Sequence, residues 1–73
     1  MTDTQEVRNL IKNKGMTYSY IAKKLGLSNY GLFLKLENKQ EFKAGEISKL
    51  CEMLDITSLR EKDRLFFAKK VAT

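Results

Sequence analysis

Proline, histidine and tryptophan are all missing from this 73-residue sequence, and cysteine occurs once. Without proline, no helix need be broken or kinked by a ring that lacks an N–H. One thiol cannot close an internal disulfide. With no histidine or second cysteine there is neither a nucleophile–base pair nor a nitrogen–sulfur metal cluster, so hydrolytic triads and zinc sites are not expected. Long hydrophobic runs are missing too. Stretches such as Tyr30-Gly31-Leu32-Phe33-Leu34 fall far short of the ~20 apolar residues of a membrane span. Asp3 and Glu6 occupy the place of a charged-then-apolar leader, so the chain reads as cytoplasmic, with a reduced thiol and no membrane association.

What is present describes a small, basic domain spanning residues 1–73. Fourteen lysines and arginines stand against nine aspartates and glutamates, a net charge of +5, and 42% of residues are hydrophobic. A chain of this size buries roughly 60% of its unfolded surface, which leaves no room for a cofactor cavity or a small-molecule substrate site. The excess charge is uneven: residues 17–45 hold five cations and two carboxylates, whereas residues 46–73 hold six and five.

Helical periodicity recurs between the glycines at 15, 26, 31 and 45. Asp3 with Glu6 forms a capping-box pattern before Val7, Leu10 and Ile11, predicting a first helix over about residues 4–14. Thr17 is the next N-cap candidate, followed by Tyr18, Ile21, Ala22 and Leu25 on one face and by Gly26, which can end a helix in the left-handed conformation. Only Leu27 separates that glycine from Ser28, which caps a third helix containing Leu32 and Leu36. So short a connection forces the second and third helices to cross steeply. A polar stretch from Glu37 to Lys43 precedes a fourth helix over about 44–54, with Ile47, Leu50, Cys51 and Leu54 on one face. Ser58 and Glu61 form another capping box ahead of a C-terminal helix over about 58–70. The expectation is an all-α, compact bundle of about five short helices.

The segment over about 17–36 carries the most information. A helix-turn-helix needs a small residue where the helices cross, a residue free to take positive φ in the turn, and a branched apolar residue closing the angle. Ala22, Gly26 and Leu32 supply these, and on their own they report scaffold packing. Their spacing, with Ile21, Leu25 and Leu27 around them, resembles the helix-turn-helix of the Cro and lambda-repressor-like family. The similarity covers roughly residues 5–56, including the run Ile47-Ser48-Lys49-Leu50-Cys51-Glu52-Met53-Leu54-Asp55-Ile56. It implies a lambda-repressor-like fold and a small phage-type regulator that binds double-stranded DNA, occupies an operator as a dimer and catalyses nothing.

In that family the first residues of the third helix reach base edges in the major groove, which points here to Asn29, Tyr30 and Leu34. Asparagine can bond adenine N6 and N7 together, tyrosine can stack or donate to phosphate, and leucine can meet only a thymine methyl, so the set leans toward A·T pairs. Phosphate contacts need cations and amide groups around the same helix. Lys35, Lys39 and Lys43 supply the charge, and the helix starts at Thr17, Tyr18 and Ser28 supply the amides. Lys23, Lys24 and Lys49 read as solvated surface charges.

Two departures from the family pattern stand out. The position three after Leu32, usually apolar, is Lys35, and a glycine common just after the third helix is replaced by Asn38, which also tolerates left-handed geometry. Leu36 is then expected to take over the core role, and a rotation of that helix would move Phe33 from partial burial toward the contacting set. Gly31 within the helix suggests a close approach by DNA or by the second helix, or simple tolerance.

The remaining candidates are ordinary. Glu61 and Asp63 sit two apart and point to different helix faces, so they make no carboxylate pair. Cys51 lies on an apolar stripe as a small buried hydrophobe. Phe66 and Phe67 point roughly 100° apart and cannot both be buried easily. By elimination, Leu65, Phe66 and Phe67 with the tail Lys69 to Thr73 are the candidate homodimer surface. Two rival functions stay open. One is an antirepressor-like protein-interaction module using the apolar face of the third helix at Tyr30, Phe33 and Leu34. The other is an antitoxin, for which the chain has little spare length.

Overall fold

Each helix start can be traced to a local hydrogen bond. The computed structural model describes residues 2–67, which form α1 (Thr4–Asn13), α2 (Tyr18–Leu25), α3 (Asn29–Leu36), α4 (Ala44–Met53) and α5 (Leu59–Phe66), with no strand among them. The Asp3 carboxylate accepts from the Glu6 N–H at 3.2 Å, Thr17 Oγ1 from Tyr20 at 3.1 Å, Ser28 Oγ from Gly31 at 2.9 Å and Ser58 Oγ from Glu61 at 3.4 Å. All four caps fall where the sequence placed them. The start of α4 is different: Lys43 has no side chain able to accept, and Glu46 reaches back to accept from the Lys43 N–H at 2.8 Å. That is one half of a capping box, built from its acidic member.

The helix ends use left-handed residues. Gly26 at φ +73° closes α2, with the Leu27 N–H bonded to the Ala22 carbonyl at 2.8 Å. After α3 the same role falls to Asn38 at φ +57°, and after α4 to Asp55 at φ +57°. Asn38 was foreseen in that conformation and Asp55 was not. Asparagine and aspartate are the non-glycine residues that visit this region most readily.

One hydrophobic core draws on all five helices: Val7 and Ile11 from α1, Ile21, Ala22 and Leu25 from α2, Leu32 and Leu36 from α3, Ile47, Leu50 and Cys51 from α4, and Leu65 and Phe66 from α5. Helix α2 packs on α3 and α4, while α1 packs on α5. Leu36 is buried, as expected once a lysine stands at position 35. Cys51 is buried in the same core, and desolvation pushes its thiol above the usual cysteine range.

The α5 face corrects the expected dimer surface. Leu65 is fully buried, and Phe66 is 3% exposed with its ring edge-on to Phe42 at 5.8 Å, so both belong to the core. Only Phe67 of that trio is open, at 55%, and the residue that accompanies it outside is Leu59, at 76%. Leu65 follows the i, i+4 row of Glu61 rather than of Leu59, which is why one apolar pair turns inward and the other out. The remainder of the expected C-terminal helix, and the tail Lys69 to Thr73, lie outside the described residues.

The segment before α1 is held at two distant points. Asn38 Oδ1 accepts from the Thr2 N–H at 3.1 Å and Asn38 Nδ2 donates to the Thr2 carbonyl at 2.9 Å, a two-point clasp on the backbone. The Asp3 N–H then donates to the Leu65 carbonyl at the end of α5 at 2.6 Å.

Candidate functional site

Helix α3 has eight residues, so it cannot both fill a core and offer a broad polar face. Leu32, Lys35 and Leu36 turn inward, and Asn29, Tyr30 and Phe33 turn out, with Leu34 between. Tyr30 is 68% exposed and Phe33 48%, and their rings lie nearly parallel, 6.2 Å between centroids and 22° between planes. The pair widens toward α2: Tyr18, Asn29 and Phe33 line one shallow depression together with Arg8, Leu32 and Leu36. The α2–α3 turn thus sets the first residues of both helices beside one aromatic patch, and Ser28 and Thr17 stand at its edge as caps.

Arg8 was not anticipated. Its guanidinium sits 5.9 Å from the Tyr18 ring centroid, donates to Glu37 Oε2 at 2.7 Å and to the Leu36 carbonyl at 3.4 Å. It thereby anchors the last carbonyl of α3, complements the negative end of that helix, and pairs the Glu37 carboxylate, which would otherwise repel a DNA backbone. Nothing local in the sequence signals this contact, because the partners are 29 residues apart.

Gly31 is not a point of close approach by α2. A Cβ there would come within 3.2 Å of Ser28 Oγ, so the close neighbour is the cap of its own helix.

Lys35 requires a correction. It was expected among the phosphate-contacting residues, yet its side chain is 5% exposed. Its ammonium pairs with Glu46 Oε1 at 2.9 Å, donates to the Glu41 carbonyl at 3.0 Å and lies 5.9 Å from the Phe42 ring centroid. The fold fills this buried position with the lysine stem while giving the charge a partner, as buried charge demands. Burial pushes the Glu46 carboxyl upward, but the hydrogen bond from the Lys43 N–H and the Lys35 ammonium outweigh it and hold the group below its ordinary range. Lys35 is unavailable to an outside phosphate.

Lys39 and Lys43 remain exposed. They follow the C-terminal end of α3, separated from Asn29 by the helix length of ~12 Å. Thr17 and Ser28 hydroxyls are engaged as caps, so what they can offer an anion is the helix-start amides next to them. The expected base-contacting Asn29 and Tyr30 therefore sit with Thr17, Tyr18 and Ser28 at the start of α3, whereas Lys39 and Lys43 follow its other end. Among the described residues no group of histidine, cysteine, aspartate or glutamate could hold a metal ion, and no helix is long and apolar enough to cross a membrane. A scan against protein-family models and searches of curated proteins and solved structures find no match to this chain.

Proposed function

We propose that this protein is a sequence-specific double-stranded DNA-binding regulator of the phage Cro or repressor type. In this reading α2 and α3 act as a helix-turn-helix, with α3 in the major groove, and regulation comes from operator occupancy rather than catalysis. The observation that carries it is the division of α3: its apolar face is locked in the core while Asn29, Tyr30 and Phe33 stand exposed beside the starts of two helices. Those helix starts suit phosphate oxygens, and Lys39 and Lys43 add cationic contacts beyond the far end of α3. The resemblance of Ala22, Gly26 and Leu32 to the family spacing supports the same reading.

One helix reads only a few base pairs, so the regulator acts as a homodimer on two half-sites about one DNA turn apart. Leu59 and Phe67, the large apolar side chains that α5 leaves outside, are the dimer surface in this reading. It works in the cytoplasm, without cofactor or small-molecule substrate.

The test is selection of duplexes from a random pool by the purified protein at about 150 mM salt, where nonspecific attraction is screened. The expected result is an enriched palindrome with half-sites about ten base pairs apart. Weak, salt-sensitive binding with no enriched sequence sinks the reading. The stacked, exposed Tyr30–Phe33 pair favours one alternative, a module that binds another protein through α3. That alternative expects no enriched duplex, together with loss of the protein partner on Tyr30→Ala.

A further inference from the structure

Phe33 was left between core and contact by the sequence, and the structure gives it a definite place. It is 48% exposed, stacked against Tyr30, and shares its depression with Asn29 and Tyr18. No hydrogen-bonding atom exists on its ring, and the ring is not needed to complete the core, which closes through Leu32 and Leu36. We infer that Phe33 and Tyr30 together read the C5-methyl groups of thymine, making the recognition surface selective for 5-methylpyrimidines. This rests on the DNA-binding reading and specifies what that surface distinguishes.

The major groove offers one apolar feature, the methyl group of thymine, and a phenylalanine on the exposed face of a groove-binding helix can cover it. The two rings lie 6.2 Å apart. That separation spans about two base steps at 3.4 Å of rise, so the pair can reach methyls two base pairs apart. Asn29, on the same patch, has the donor and acceptor needed for adenine N7 and N6, the partner face of the same A·T pairs. The patch presents no unpaired carboxylate to a polyanion, because Glu37 is held by Arg8 at 2.7 Å beside Tyr18.

The experiment replaces thymine by uracil, one position at a time, in the duplex enriched by selection. This deletes a methyl group and preserves base pairing. The wild-type protein is expected to bind about four-fold more weakly for each critical methyl removed, the loss for uncovering one buried methyl-sized group. Phe33→Ala should bind the thymine duplex more weakly and should not distinguish it from the uracil duplex at the positions Phe33 covers. Phe33→Leu, which keeps an apolar side chain, should retain part of the discrimination. Circular dichroism verifies that each variant is folded. Equal wild-type affinity for the thymine and uracil duplexes overturns the inference, as does undiminished discrimination by Phe33→Ala, and in both cases DNA binding itself still stands. If no duplex is enriched at all, the DNA-binding reading falls and this inference with it.

Discussion

The two ends of α3 are built on opposite principles. At its C-terminal end every strong group is committed: Lys35 to Glu46, the Leu36 carbonyl and Glu37 to Arg8, and Asn38, just beyond, to Thr2. Toward its N-terminal end Ser28 holds the cap, Asn29 and Tyr30 project, and Phe33, one turn on, stacks against Tyr30. One end is the fixture and the other the probe. A short helix that must hold foreign groups in register gains from this arrangement, because the immobilised end fixes the projecting end without spending its exposed side chains.

That contrast is broken most severely by separating the buried pair. Glu46→Ala is expected to cost ~3–5 kcal/mol, measured by urea denaturation, since it strands the Lys35 ammonium in the core. Lys35→Met with Glu46→Gln removes both charges, preserves an acceptor for the Lys43 N–H, and should recover most of that loss. A double variant as unstable as Glu46→Ala would show that the charge pair is not what matters.

The same pair gives an acid limb. The Glu46 carboxyl titrates below its ordinary value of 4.5 in the folded chain. The stability it contributes is therefore full above that value and is lost as pH falls through the folded one. Glu46→Gln should flatten this limb in a series of denaturation midpoints, and an unchanged limb assigns it to other carboxylates.

Smaller effects separate backbone from side chain at the fixture. Asn38→Ala should cost ~1–3 kcal/mol, because alanine tolerates φ +57° poorly and both bonds to Thr2 disappear. Asn38→Gly should lose less, since glycine supplies the backbone conformation. The order reversed would mean that the left-handed conformation costs alanine little and that chain flexibility dominates.

The finest test concerns charge without structure. Lys39→Ala should leave stability within ~0.5 kcal/mol, yet lower the salt slope of DNA binding by about one. An unaltered slope removes Lys39 from the phosphate set.

The helices and four of their caps were legible in the sequence because they depend on neighbours: a serine or threonine oxygen finds an amide three residues on, and apolar residues repeat at the helical period. Ala22, Leu32 and Leu36 were placed inside by the same logic. The sequence misled where a tertiary partner decided the outcome. Lys35 looked like surface charge until α4 brought Glu46 against it, and Arg8 looked unremarkable until α3 ended beside it. On α5, two adjacent phenylalanines do not by themselves tell which is inward, and the fold settles it by setting Phe66 in the core against Phe42.

The two-point clasp on Thr2 also has a consequence for the order of assembly. It joins residues 36 apart in sequence, and the neighbouring bond from Asp3 to Leu65 spans almost the whole described chain. The clasp cannot form until the end of α3 has been placed, nor the Asp3 bond until α5 has, so loop closure delays them relative to the local helices. They complete the fold late and release early. The Asp3 amide should then exchange with solvent deuterium through a partial opening that leaves the α2–α3 unit intact, and its protection becomes a sensitive gauge of how firmly the first and last helices hold together.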